Sequence, residues 1–182
     1  MNPIALTLLL LLTTLGTAQA EERLLQRDAI EVEDGDTLVI DFDGTPVRVQ
    51  LIGIDAPEDS DNPKFRVDLR RTGLDAERLR RLGSVATEQL RFLIDSRAPL
   101  TLQFDRQLKD RYGRMPADLV DAEGNSLAAM MIANGYAMPV TRDMPASLIH
   151  LLGALAREAR THDKGLWGLY PEDSRRWAGV GE

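Results

Sequence analysis

The chain has no cysteine and only two histidines among its 182 residues, and both shortages narrow its chemistry. Without cysteine no disulfide can staple the fold, so the domain must hold together by packing. With no thiolate, and imidazoles only at His150 and His162, the composition argues against a zinc centre. Both histidines fall on or beside a predicted C-terminal helix and read as structural or solvent-exposed. Positive charge is also scarce: 22 Lys and Arg against 29 Asp and Glu leave a net charge of −7. That argues against a protein that coats nucleic acid through bulk charge, though it leaves a local phosphate site open. The basic residues cluster between Lys64 and Arg91, where a solvated face is favoured over a nucleic-acid patch. No repeat, low-complexity tract or Pro/Gly/Ser-rich linker divides the chain, so one domain with one core is expected.

The first 20 residues carry no charged side chain, and Ala18-Gln19-Ala20 stands just before Glu21-Glu22. Their apolar run, residues 4–12, is shorter than the ~20 residues a membrane span needs. Residues 1–20 therefore read as a secretory signal cleaved near Ala20, which implies an exported protein with no stable membrane insertion. An uncleaved anchor is the alternative.

From residue 30 to 54 the pattern is β. Leu38, Ile40 and Phe42 alternate with other residues, Asp43-Gly44 marks a turn, and Val47, Val49 and Leu51 resume the alternation. Because hairpin strands run antiparallel, Asp36 near the start and Asp55 just past the end come to one edge of the sheet. Residues 59–82 are polar, rich in Arg and Asp and without a sustained period, and read as a long inserted loop holding one helical turn or two. A helix is predicted over residues 84–94 with Ser84 as its N-cap, then a strand over 100–104. Another strand over 117–120, a helix over 127–133 stopped by Asn134-Gly135, an extended stretch over 136–140 and a last helix over 145–162 ended by Gly165 complete the reading. Several short strands with interposed helices point to a small closed β-barrel packed with about three helices.

Three motifs carry the chemistry: Asp34-Gly35-Asp36-Thr37, Ile54-Asp55-Ala56-Pro57-Glu58 and Asp110-Arg111-Tyr112-Gly113-Arg114. They supply hard oxygen ligands, a free carboxylate and a guanidinium, which suits metal-assisted attack of water on a phosphodiester. Asp34-Gly35-Asp36 alone is no more than a turn sequence; beside Asp55 and Glu58 it becomes a candidate calcium site. Glu58 lies three residues from Asp55, so one carboxylate can bind metal while the other stays available as a general base. Arg114 fits phosphate contact, with pairing to Asp110 as the plainer role. Tyr112 and Tyr136 serve base stacking and barrel packing equally well. Trp167, Met130 and Met131 read as core.

These motifs, with Asn134-Gly135-Tyr136-Ala137 and Gly165-Leu166-Trp167-Gly168, resemble the thermonuclease family of staphylococcal-nuclease-like domains. The resemblance runs over residues 30–167. It implies an α+β, mainly β fold, a five-stranded OB-fold barrel, and a calcium-dependent nuclease acting on DNA and RNA, single-stranded or denatured, as a monomer. Carried over by position, Asp36 and Asp55 match metal carboxylates, the Ala56 carbonyl matches a main-chain ligand, Glu58 matches the residue that activates water, and Arg114 matches one of two phosphate-holding arginines. The second arginine position holds Gln50. A neutral amide is a weaker phosphate partner than a guanidinium, and losing one such donor costs about 10²- to 10³-fold in rate. Arg48, two residues away on the same strand face, offers a substitute. The competing reading is an OB-fold binding module for nucleic acid or protein, weakened or inactive as an enzyme.

Overall fold

The computed structural model describes residues 21–140 and 144–180. The predicted signal, residues 1–20, lies outside the described residues. In chain order the elements are β1 (Glu21–Leu25), β2 (Ile30–Val32), β3 (Thr37–Phe42), β4 (Thr45–Leu51), β5 (Ile54–Asp55), α1 (Pro63–Thr72), α2 (Ala76–Arg97), β6 (Leu100–Phe104), β7 (Met115–Val120), α3 (Leu127–Ala133), β8 (Met138–Pro139), α4 (Ala146–Thr161), α5 (Leu166–Leu169) and α6 (Pro171–Ala178). The predicted hairpin forms: β3 and β4 pair antiparallel with Thr37 opposite Gln50 and Ile40 opposite Val47. Asp43 and Gly44 take φ of 54° and 85° at its turn, the left-handed backbone that an Asp-Gly hairpin supplies. Leu38, Ile40, Val49 and Leu51 point inward and are fully buried.

The main sheet has six strands in the order β1-β6-β7-β4-β3-β2 and curls as a half-barrel. All its pairs are antiparallel except β4 with β7, where Val49 faces Met115. This parallel pair sets the start of β7, and with it the Asp110 to Arg114 loop, beside the hairpin. β5 and β8 form a separate two-stranded ribbon that pairs Asp55 with Met138. Ala86, Leu90, Leu93 and Ile94 of α2 and Leu127, Met131 and Ile132 of α3 join the strands in one core.

Four expectations are corrected. The sheet has six strands rather than five, because residues 21–25, outside the stretch read as β, pair along β6. The helices number six among the described residues rather than about three. In addition, residues 59–82, expected as a loop, fold largely as α1 and the first turns of α2, so the predicted N-cap Ser84 sits inside a helix. The signals lay in the caps rather than the periodicity. The Asn62 side chain accepts from the N–H of Phe65 with Pro63 in the first turn, Gly73 closes α1 at φ 65°, and the Asp75 side chain accepts from the N–H of Arg78. Many arginines hide the few apolar anchors, Phe65, Leu74, Leu79 and Leu82, which pack with Leu166 and Trp177 in a second small core. Gly165 likewise does not end α4. It precedes α5 at φ 53°, and a Cβ there would lie 2.3 Å from the Asn134 carbonyl oxygen. Among the described residues no helix is long and apolar enough to cross a membrane.

Candidate active site

The first motif is built by Asp34, whose carboxylate accepts the N–H groups of Asp36 (3.0 Å) and Thr37 (2.7 Å). This turn leaves the Asp36 carboxylate to reach elsewhere. One oxygen takes the Thr37 hydroxyl at 3.0 Å and the other takes the N–H of Ala56 at 2.9 Å. The second bond ties the start of β3 to the end of β5, so the two motifs meet as the hairpin geometry predicts. The contact is close because residue 35 is glycine: a Cβ there would stand 2.7 Å from Ala56 Cβ and 3.0 Å from Ala86 Cβ. Burial, with the Asp36 and Glu58 charges added, pushes the Asp34 carboxyl well above its ordinary value, against the two N–H donors.

The second motif is organised by a residue that periodicity did not single out. Lys64, in the first turn of α1, sends its ammonium to Asp55 Oδ1 (2.9 Å), the Ala56 carbonyl (2.9 Å) and Glu58 Oε1 (2.8 Å). One N–H is thus donated to the Ala56 carbonyl, while the two carboxylates pair with the ammonium by charge. Asp68, one turn along the helix, places Oδ2 at 3.7 Å. Burial alone would lower the lysine, but Asp55, Glu58 and Asp36 together raise it above its ordinary value. Burial raises Asp55, with Lys64 opposing and Asp36 adding. The second Glu58 oxygen accepts from Asn62 Nδ2, so the cap of α1 also holds this buried carboxylate. Sequence reasoning counted Lys64 only as the edge of a basic stretch. The Asn62-Pro63 start of a helix was the available signal, since it sets Lys64 and Asp68 on one face.

Helix α2 supports the Glu58 segment from behind. The Thr87 hydroxyl donates to Asp59 Oδ2 at 2.8 Å, and Gly83 abuts the Glu58 carbonyl so closely that a Cβ would lie 2.3 Å from it.

The third motif closes on Arg114. Asp110 accepts the N–H groups of Tyr112 (2.8 Å) and Arg114 (2.9 Å) and the Arg114 Nε at 2.8 Å. Although burial works against it, these donors hold the Asp110 carboxyl below its ordinary value. Arg114 Nη1 then donates to the Thr37 hydroxyl at 3.0 Å. A continuous chain runs Asp110, Arg114, Thr37, Asp36, Ala56, and Asp36 links its guanidinium end to its carboxylate end. Gln50, opposite Thr37, brings Oε1 to 3.4 Å from the same hydroxyl. The Arg48 guanidinium is gripped at two points by Glu33, at 2.7 and 2.5 Å. Tyr112 is half exposed, with the Arg114 guanidinium 5.3 Å from its ring centre. Tyr136 instead packs against both hydrophobic cores.

A sequence model of the staphylococcal nuclease homologues matches residues 48–168 of this chain. The chain belongs to the staphylococcal nuclease homologue family. The family match contains Gln50, Asp55, Ala56, Glu58 and Arg114 and begins after Asp36. Among curated relatives, the thermonuclease of Staphylococcus intermedius is 36% identical over 83 residues, 46% of this chain and 41% of that protein. Endonuclease YhcR of Bacillus subtilis is 26% identical over 145 residues, 75% of this chain but only 11% of the relative. An uncharacterized endonuclease of Escherichia coli O157:H7 is 26% identical over 138 residues, 76% of this chain and 74% of the relative.

Calcium is the metal this family implies. Among the described residues no three His, Cys, Asp or Glu side chains are grouped as a metal centre. The oxygens of Asp55, Ala56 and Glu58 nevertheless converge on one positive charge, the Lys64 ammonium. That stand-in identifies the point as suited to a cation, and the all-oxygen donor set suits a hard one.

Proposed function

We propose that this chain is an exported, calcium-dependent nuclease that hydrolyses phosphodiester bonds of DNA and RNA, acting as a monomer on single-stranded or denatured strands. The single observation that supports the reading is the hydrogen-bonded run from Arg114 through Thr37 and Asp36 to Ala56, which joins the guanidinium to the segment whose Asp55, Ala56 carbonyl and Glu58 share the Lys64 ammonium. Asp36, Asp55 and the Ala56 carbonyl would hold the calcium ion, which supplies positive charge to phosphate oxygens and acidifies water.

The protein's own groups do the rest. Glu58 takes a proton from the attacking water as oxygen adds to phosphorus and one P–O ester bond breaks. Arg114 is anchored by Nε to Asp110 and by Nη1 to Thr37, so its fork is pre-oriented before substrate arrives. The guanidinium would donate to the extra charge that develops on the phosphate. Tyr112 beside it offers a ring for a base or sugar. Gln50 reaches the same place with a neutral amide, and Arg48 is tied to Glu33, so a rate about 10²- to 10³-fold below that of a two-arginine site is expected. The motif order and the family's endonuclease relatives support the nuclease reading; the uncharged apolar segment before Glu21 supports export.

Gln50 favours one second reading, a binding module that retains the fold without the rate. The deciding measurement is hydrolysis of denatured DNA by residues 21–182 with calcium and then with chelator, alongside Glu58→Gln. Cleavage that needs both calcium and Glu58 supports the enzyme. No cleavage from a folded protein with bound strand supports the module.

A further inference from the structure

Lys64 is left over by the proposed chemistry, yet it makes the densest set of polar contacts in the site. The geometry points to Lys64 as the site's resident cation: its ammonium holds the point where Asp55, the Ala56 carbonyl and Glu58 converge, and a divalent ion enters only by displacing it. This inference rests on the calcium reading above.

The contacts themselves argue for displacement rather than coexistence. The ammonium donates to the Ala56 carbonyl at 2.9 Å and lies 2.9 Å from Asp55 Oδ1 and 2.8 Å from Glu58 Oε1, so it fills the space that a hard cation on Asp55 and the Ala56 carbonyl would need, about 2.3 to 2.6 Å from those oxygens. Two cations cannot share that space. Helix α1 fixes the rival in place, since Phe65, the next residue, is 1% exposed in the second core and Asn62 joins the helix start to Glu58. The way out is the side chain itself. Lys64 is about one-third exposed, at 33%, and its flexible four-carbon stem can swing to water without moving the helix.

Charge sets the two occupants against each other. Asp36, Asp55 and Glu58 present three carboxylates to a single ammonium, and Asp68 adds Oδ2, buried, 3.7 Å from Nζ and without a hydrogen-bond partner. The site therefore keeps a negative charge that a divalent ion answers better than lysine does. Against this, the ion must break one hydrogen bond and two close ion pairs. Apparent metal affinity is the intrinsic affinity scaled by the fraction of molecules with Lys64 out, so Lys64 acts as a built-in competitor that tunes the site's demand for calcium.

The test is calcium titration calorimetry on the full chain, wild type against Lys64→Met and Asp55→Asn. If the lysine-out state holds a tenth of the molecules or less, Lys64→Met binds at least ~10-fold more tightly than wild type. A second readout needs no variant: the chain has three lysines, Lys64, Lys109 and Lys164, so acylation by a water-soluble amine reagent can be mapped by peptide mass spectrometry. Lys64 should react slowly without calcium and faster with it, while Lys109 and Lys164 serve as internal standards. Equal affinities in wild type and Lys64→Met, or binding without exposure of Lys64, overturn this inference and leave the calcium reading intact. No binding by either protein overturns both. If Lys64→Met fails to fold, the acylation result on wild type decides alone.

Discussion

Replacing Gly83 by alanine sets two effects of known size against each other. Gly83 lies within the 22-residue α2, where alanine normally gains about 1 kcal/mol over glycine. A Cβ there would sit 2.3 Å from the carbonyl carbon and oxygen of Glu58 and 2.5 Å from the N of Asp59, whereas ordinary contact starts near 3.4 Å. The obstacle is backbone, so it cannot swing aside. Helix and loop must separate by about 1 Å, and overpacking of this kind costs ~1 to 3 kcal/mol. At the upper end of that range, which backbone obstruction favours, the clash wins by about 1 to 2 kcal/mol. It also displaces Glu58, and a 1 Å error in a catalytic group costs about 10²-fold in rate. Gly153, in α4, is the internal control: its nearest neighbour would be Arg157 Nη1 at 3.5 Å, the free end of a flexible side chain. Urea titration should therefore show a lowered midpoint for Gly83→Ala and a raised one for Gly153→Ala, with DNA hydrolysis falling only in the first. If both variants gain stability alike and keep their rates, α2 does not press on the Glu58 segment as described.

Two further outcomes follow from the site and the sheet. Gln50→Arg puts a guanidinium opposite Thr37, beside the hydroxyl that Arg114 already holds; kcat on denatured DNA should rise by about 10²-fold, and an unchanged rate would mean that no phosphate donor is missing there. Asp118, fully buried on β7 with Oδ1 on the N–H of Leu119, is pushed by burial from 3.8 up to about 6. A carboxyl raised above its unfolded value favours the folded state in full below about pH 4, and that advantage is lost as pH rises through 6. At 1.36 kcal/mol per pH unit the loss is about 3 kcal/mol. Stability measured by urea at pH 4 and pH 7.5 should thus shift by that amount in wild type relative to Asp118→Asn; parallel profiles for the two proteins would sink the assignment.

The hairpin, the meeting of Asp36 with residues 55 and 56, and α3 with its Asn134-Gly135 stop were legible because each rests on local rules: alternation, a turn dipeptide, a helix terminator. The 59–82 segment was not. Its apolar anchors are few, and they gain burial only when Leu166 and Trp177, about a hundred residues later, arrive to cover them. Tyr112 and Tyr136 show the same divide. Both are amphipathic and their sequence contexts weigh equally, yet one lies half exposed at Arg114 while the other fills space between two cores.

Composition and motif order by themselves determined a cysteine-free chain, the OB-type sheet and the identities of the oxygen and guanidinium groups, because those depend on residue type and short spacing. The tertiary structure alone decided what those groups hold. The parallel β4 and β7 pair carries Arg114 to Thr37, Gly35 lets Ala56 and α2 close on Asp36, and α1 delivers Lys64 to the convergence of Asp55, Ala56 and Glu58. The Asn62-Pro63 helix start could mark the face that carries Lys64, but which distant oxygens a long side chain reaches from a neighbouring helix is set by packing and could be found only in three dimensions.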